Sequence, residues 1–303
     1  MPARQINKFS NESEINDTIN NNNATTLKLK KGMLIVNHKV YKIEDNYMEY
    51  LFNALEKNQT ISQLILSYDL NVETSKYLSQ ILKNNKTIIK LCLTHDINAE
   101  SMKHLCEAIN YNEIITHLIL DSDMNAESMK YLSDALKNNR SIIELILGSD
   151  INIESIKYLS EAIKTNQVMT CLCLKSDINA KSMKHLVEAI KYNQTITLFC
   201  PKQKIEPKLM EYINESLEEN KIMNEFKNVC KDNKENDAIL MINKHRQKCY
   251  PVKASNNIKN EDAIYWILKN KMTKVAKEMT IKCDVMKRLY YRGNDIEDLI
   301  MYY

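Results

Sequence analysis

Hydrophobic and polar positions change period once within each stretch of 27 residues, shown clearly by the segment from Lys86 to Asn112. Leu91 and Leu93 lie two apart, the alternation of a short strand with both side chains on one face. Met102, Leu105, Ala108 and Ile109 then follow three-four spacing and form one apolar helix face. The predicted helix covers roughly Ala99 to Tyr111. Asn98 is placed as its N-cap, where a side-chain oxygen accepts an orphan backbone N–H. Glu100 lies near the positive helix end, with Lys103 three residues on. Asn112 stands where a left-handed C-cap is expected, a conformation Asn tolerates.

The pattern recurs at a shift of 27 residues. One column reads Leu64, Leu91, Leu118, Leu145, Leu172 and Phe199, and a second Leu66, Leu93, Leu120, Leu147, Leu174 and Pro201. Asp69, Asp96, Asp123, Asp150 and Asp177 form a third, and Asn71, Asn98, Asn125, Asn152 and Asn179 a fourth. Five complete units fill residues 61–195. The helix half of another begins at Tyr47, and a degraded unit runs from Thr195 to about Lys221. One unit carries too few apolar side chains to offset the entropy of ordering its backbone, so neighbours must share a core and the ends need caps.

A strand with the LxxLxL pattern, a turn and a helix in each 27-residue unit resembles the leucine-rich repeat. The long helix resembles that of the ribonuclease-inhibitor-like subclass. The resemblance covers roughly residues 34–221 and recurs in register. It implies an α/β leucine-rich-repeat solenoid: a curved parallel sheet on the concave side, outer helices on the convex side, and binding rather than catalysis. An all-helical solenoid is disfavoured, because Ile88-Ile89-Lys90-Leu91-Cys92-Leu93 is β-prone.

Outside the array the pattern changes. Residues 1–24 are polar and Asn-rich and are expected to be disordered. Residues 25–60 read as an N-terminal cap, with turns at Gly32 and Asn37-His38 between short β segments, followed by the first helix. The repeats span 61–221, and 222–303 read as a small C-terminal helical appendage over the open end. Helical patterns there run from Asp237 to His245, Glu261 to Met279, Thr280 to Tyr291 and Asp295 to Tyr303.

Composition narrows the function. Across 303 residues, 42 Lys plus Arg face 39 Asp plus Glu, so no global field marks a nucleic-acid binder. From Ile222 onward 16 basic side chains face 11 acidic ones, a mild balance that a solvated surface explains. The three glycines, Gly32, Gly148 and Gly293, lie far apart, which excludes Gly-rich phosphate loops and the GxSxG elbow. No apolar run approaches a membrane span, and the first residues have no signal-peptide core. The eight cysteines form no CxxC pair and scatter through apolar positions, as reduced cytosolic thiols do. The expected location is cytoplasmic, with non-classical export as a host-directed effector left open. No cofactor is expected.

Candidate chemistry is sparse. The Asp column reads either as a cation ladder or, preferably, as carboxylates bonding backbone N–H groups in their own turns. Tyr77, His104, Tyr131, Tyr158, His185 and Tyr212 form a column in which Tyr and His exchange freely, which suits packing and not catalysis. His95, His117 and Ser149 occupy different columns and make no triad. The residue between the two later leucines points outward, giving the apolar stripe Ile65, Cys92, Ile119, Ile146, Cys173 and Cys200. Gln63, Lys90, His117 and Glu144 flank it on one side; Ser67, Thr94, Asp121 and Lys175 on the other. The partner-binding expectation rests on Ile65, Cys92, Ile119, Ile146 and Cys173 with Lys90, His117 and Glu144: a non-enzymatic module taking a protein or peptide on its concave face. Nucleic-acid binding through the C-terminal helices, and an enzyme activity in them, are the weaker alternatives. Cys171, Cys173 and Cys200 should cluster, either as reduced thiols filling small spaces or as a soft-metal or oxidation-sensitive site.

Overall fold

A computed structural model describes residues 7–9, 11–20, 23–44, 47–148, 151–202 and 204–231. The chain divides into two units, Met1–Leu217 and Glu218–Tyr303. The first begins with β1 (Asn7–Lys8), α1 (Glu12–Asn20), β2 (Thr26–Lys30), β3 (Met33–Val36), β4 (Lys39–Lys42) and α2 (Met48–Lys57). Strand–helix units follow: β5 (Gln63–Ser67) with α3 (Val72–Asn84), β6 (Lys90–Leu93) with α4 (Ala99–Tyr111), and β7 (His117–Leu120) with α5 (Ala126–Asn138). Next come β8 (Glu144–Leu147) with α6 (Ile153–Thr165) and β9 (Cys171–Leu174) with α7 (Ala180–Tyr192). β10 (Leu198–Pro201) leads into α8 (Pro207–Lys231), which carries the chain into the second unit. The helical patterns expected from Asp237 onward lie outside the described residues.

All ten strands join one sheet in the order β1-β4-β3-β2-β5-β6-β7-β8-β9-β10. From β5 to β10 every pairing is parallel, and its register equals the 27-residue shift: Leu64↔Leu91, Leu91↔Leu118, Leu118↔Leu145, Leu145↔Leu172 and Phe199↔Leu172. The strands from β6 to β9 alternate half-buried and buried positions, with both leucines of each strand inward. Those leucines meet the apolar helix faces, including Met102, Leu105 and Ile109 of α4, in one continuous core. Tyr77, Tyr131 and Tyr158 pack against its edge, as the Tyr/His column requires.

Asparagine closes both ends of the repeat helices. Asn71, Asn98, Asn125, Asn152 and Asn179 each accept the N–H three residues on, as N-caps should. The C-terminal asparagines differ from expectation. Asn112 is extended, with φ −74° and ψ 127°, and not left-handed. Its side chain does the capping instead. Nδ2 donates to the Leu82 carbonyl of the preceding repeat at 2.6 Å, and Oδ1 accepts from the N–H groups of Ile114 and Ile115 at 2.9 and 2.7 Å. Asn58, Asn85, Asn139, Asn166 and Asn193 repeat the arrangement, so a buried asparagine ladder sews each helix end to its neighbour. The helix C-termini thus find donors without any backbone turning left-handed.

The described residues of the N-terminal segment, 7–9, 11–20 and 23–24, correct the expectation of disorder over 1–24. Asn11 caps α1 by accepting from Glu14 N–H, and Ile15 and Ile19 are fully buried with Phe9 close to it. Asn58 donates to the Ile19 carbonyl at 3.0 Å, the same bond that later ladder asparagines make to the preceding helix. α1 therefore occupies the helix position before α2. β2, β3 and β4 form an antiparallel meander. Gly32 turns at φ +68°, and Asn37 and His38 both take positive φ, which suits a tight hairpin. At the other end Ile213 and Leu217 of α8 are buried on the repeat's helical columns.

Candidate functional site

The sheet face away from the helices carries the outward positions of the parallel strands. Ile65↔Cys92, Cys92↔Ile119, Ile119↔Ile146, Ile146↔Cys173 and Cys173↔Cys200 are direct partners, so the six form one unbroken row. Lys28 of β2 pairs with Ile65 and ends the row with a charge. The stripe is half-buried and not fully exposed. Neighbouring strands lie about 4.8 Å apart, so adjacent side chains cover one another's flanks. Larger exposure appears at its rim, on Ile89 (44%) and Leu198 (51%). The doubled aliphatic Ile88-Ile89 hid this from the sequence: Ile88 is core and Ile89 is surface.

The flanking column runs Gln63↔Lys90↔His117↔Glu144↔Cys171. His117 Nε2 lies 3.6 Å from Glu144 Oε2, and Thr116 Oγ1 lies 2.7 Å from His117 Nδ1. On the other flank Thr94 Oγ1 donates to Ser67 Oγ at 2.9 Å. Lys175 Nζ reaches 3.8 Å from Asp121 Oδ2 although Gly148 stands between them in the column. The absent side chain makes that approach possible. A Cβ at Gly148 would fall 2.8 Å from Asp121 Cα and closer still to its carboxyl group.

Two of the three thiols expected to cluster meet on β9. Cys171 Sγ and Cys173 Sγ lie 3.7 Å apart, and Cys171 Sγ lies 3.9 Å from Glu144 Oε1. Cys200 pairs with Cys173 across β9 and β10, with its thiol beside that of Cys173. Burial pushes the Cys173 thiol up, reinforced by hydrogen bonding to Cys200 and Cys171. Burial also raises Cys171 and Cys92. A nucleophilic cysteine needs the opposite shift, so the geometry His117–Glu144–Cys171 holds no activated thiolate.

The Asp column does not make the turn bonds expected of it. Asp69, Asp96 and Asp123 are exposed, and among the described residues their carboxylates make no bond to their own turns. Asp177 Oδ2 faces Lys202 Nζ at 3.9 Å, while Asp150 and Ser149 lie outside the described residues. The capping asparagines satisfy the turns instead. A cleft of about 480 Å³ that the sequence did not announce lies beside Gly32, between the meander, α2 and α3. Lys30, Lys31, Glu49 and Asp69 give its walls mixed charge.

No protein-family model matches the chain, and no curated protein matches it. Among solved structures the chain is similar to the actin-binding site 2 of leiomodin-1. That likeness has 15% identity and a TM-score of 0.48, over 54% of this chain and 98% of that one. It is also similar to the tropomodulin C-terminal domain of Caenorhabditis elegans, with 14% identity and a TM-score of 0.42 over 53% of this chain and 99% of that one. The fold class is defined by the chain's own architecture: a strand–helix repeat solenoid of the leucine-rich-repeat type.

Proposed function

We propose that this chain is a non-enzymatic protein-interaction module that takes a protein or peptide partner on the concave face of its sheet. The observation that carries the reading is the in-register row Ile65–Cys92–Ile119–Ile146–Cys173–Cys200. A continuous apolar row on the open face of a sheet is more than scattered exposure, and such patches mark partner sites. Lys90, His117 and Glu144 beside it differ in charge from strand to strand and supply selectivity. The 13-residue helix of each complete repeat supports placement in the ribonuclease-inhibitor-like subclass. Cysteines scattered through apolar positions support a cytoplasmic location. Among the described residues no helix is long and apolar enough to cross a membrane.

The test is affinity capture with the full chain and with the variant Ile119→Asp/Ile146→Asp. Both positions are half-buried and centrally placed on the row. Two charges set in an apolar contact should weaken a partner bound there by at least about tenfold, the factor that 1.4 kcal/mol represents. Unchanged affinity in a folded variant sinks the reading. Salt dependence separates the nucleic-acid alternative: phosphate contacts lose affinity steeply between low and moderate salt, and an apolar interface does not.

A further inference from the structure

Beyond partner binding, we propose that Cys171, Cys173 and Glu144 form a binding site for a single thiophilic divalent cation of the zinc class. The sulfur positions carry the argument. Zinc bound by thiolate has a metal–sulfur distance of about 2.3 Å, so two ligands of a tetrahedral site stand about 3.8 Å apart. Cys171 Sγ and Cys173 Sγ are 3.7 Å apart before any ion is present. A carboxylate edge of such a site is slightly shorter, and Glu144 Oε1 stands 3.9 Å from Cys171 Sγ. The three donor atoms all lie within 4.8 Å of one another.

Glu144 is held for this role. Its Oε2 faces His117 Nε2 at 3.6 Å, which leaves Oε1 turned toward the sulfurs. A ligand carboxylate fixed from behind by a second residue is the usual support of a protein metal site. Cys200, the β9–β10 partner of Cys173, stands outside this set of three, so the fourth position is left to water. The backbone is equally well placed. Cys171 and Cys173 sit on one strand and Glu144 on its neighbour, and none of the three needs a loop to move. All three side chains are half-buried, so an ion can enter from the open face. Binding takes up the metal as thiolate complexes and releases the thiol protons to solvent, with no change of oxidation state.

The experiment is a titration of the full reduced chain with Co²⁺, followed by displacement with Zn²⁺. The expected result is one equivalent bound, with a sulfur-to-cobalt charge-transfer band and the intense visible bands of tetrahedral cobalt, both erased by zinc. Cys171→Ser/Cys173→Ser should abolish the charge-transfer band. Glu144→Gln keeps both thiols and the side-chain shape, and should lower affinity by at least about tenfold, since even outer residues of metal sites cost 10–100-fold. Cys92→Ser in the same row, and Cys230→Ser/Cys249→Ser/Cys283→Ser, should leave binding unchanged. Three results each overturn the proposal: no charge-transfer band in the unaltered chain, full affinity in Glu144→Gln, or binding that follows the three C-terminal cysteines. The Ile119→Asp/Ile146→Asp variant keeps all three donors, so loss of partner binding there and loss of metal binding are read separately.

Discussion

Replacing Asn139 by alanine is the sharpest test of what holds the array together. Asn139 is 1% exposed. Its Nδ2 donates to the carbonyls of Ile109 at 2.7 Å and Asn112 at 3.0 Å, and its Oδ1 accepts from the N–H groups of Ser141 at 3.0 Å and Ile142 at 2.8 Å. Alanine strands these groups in a place water does not reach. A buried polar group left without a partner costs about 1–3 kcal/mol. The Asn112 carbonyl keeps one donor, since Ser141 Oγ reaches it at 2.8 Å. The Ile109 carbonyl likewise keeps the Asn112 N–H at 3.3 Å, so the loss falls on the N–H groups of Ser141 and Ile142, and the expected destabilisation is roughly 2–6 kcal/mol. Equilibrium urea unfolding of the full chain, followed by far-UV circular dichroism, measures it. Native-state hydrogen exchange locates it: protection should fall at Ser141 and Ile142 before it falls in distant repeats, because stability in such arrays is summed from neighbouring interfaces. Ser141→Ala is the control. A loss below about 1 kcal/mol for Asn139→Ala would refute the ladder as a structural device, since it equals one ordinary hydrogen bond.

Two further outcomes test packing and titration. Gly148→Ala should cost about 1–3 kcal/mol by overpacking, measured by the same unfolding assay, and part of that cost should disappear in an Asp121→Ala background; equal costs in both backgrounds would show that Asp121 does not set the constraint. Burial raises the Cys106 thiol far above the usual cysteine range, so it stays neutral in the folded chain while in the unfolded chain it ionises near the ordinary cysteine value of about 9. The stabilising contribution is complete below about pH 9 and is lost as pH rises above it, by up to about 1.4 kcal/mol per pH unit. Cys106→Val, the residue type found at the equivalent Val187, should remove that share of the alkaline decline; identical pH profiles for the two proteins would contradict the burial argument.

The parts of this structure visible in the sequence are those that depend on period and local capping. Leu91 and Leu93 declare a strand face by spacing alone, and Asn98 declares a helix start because its partner, Ser101 N–H, is three residues away. Asn112 was misread for the opposite reason. Its decisive partner, the Leu82 carbonyl, is thirty residues distant and belongs to another repeat. α1 escaped notice because only Ile15 and Ile19 mark its buried face within an Asn-rich stretch. The thiol neighbourhood followed from the 27-residue shift, but the turn of Glu144 toward Cys171 depends on rotamers, and no spacing rule contains them.

The equality of sheet register and repeat length has a consequence at the level of the gene. Because four residues of each strand from β5 to β8 pair with those 27 positions later, an in-frame duplication or deletion of 27 codons joins a strand to a partner already shaped for it. Each such event lengthens or shortens the open row by one strand spacing, about 4.8 Å. The coding sequence is therefore a ruler. Lineages can adjust the footprint offered to a partner in fixed increments by recombination between similar segments, and inherit a working core at each step.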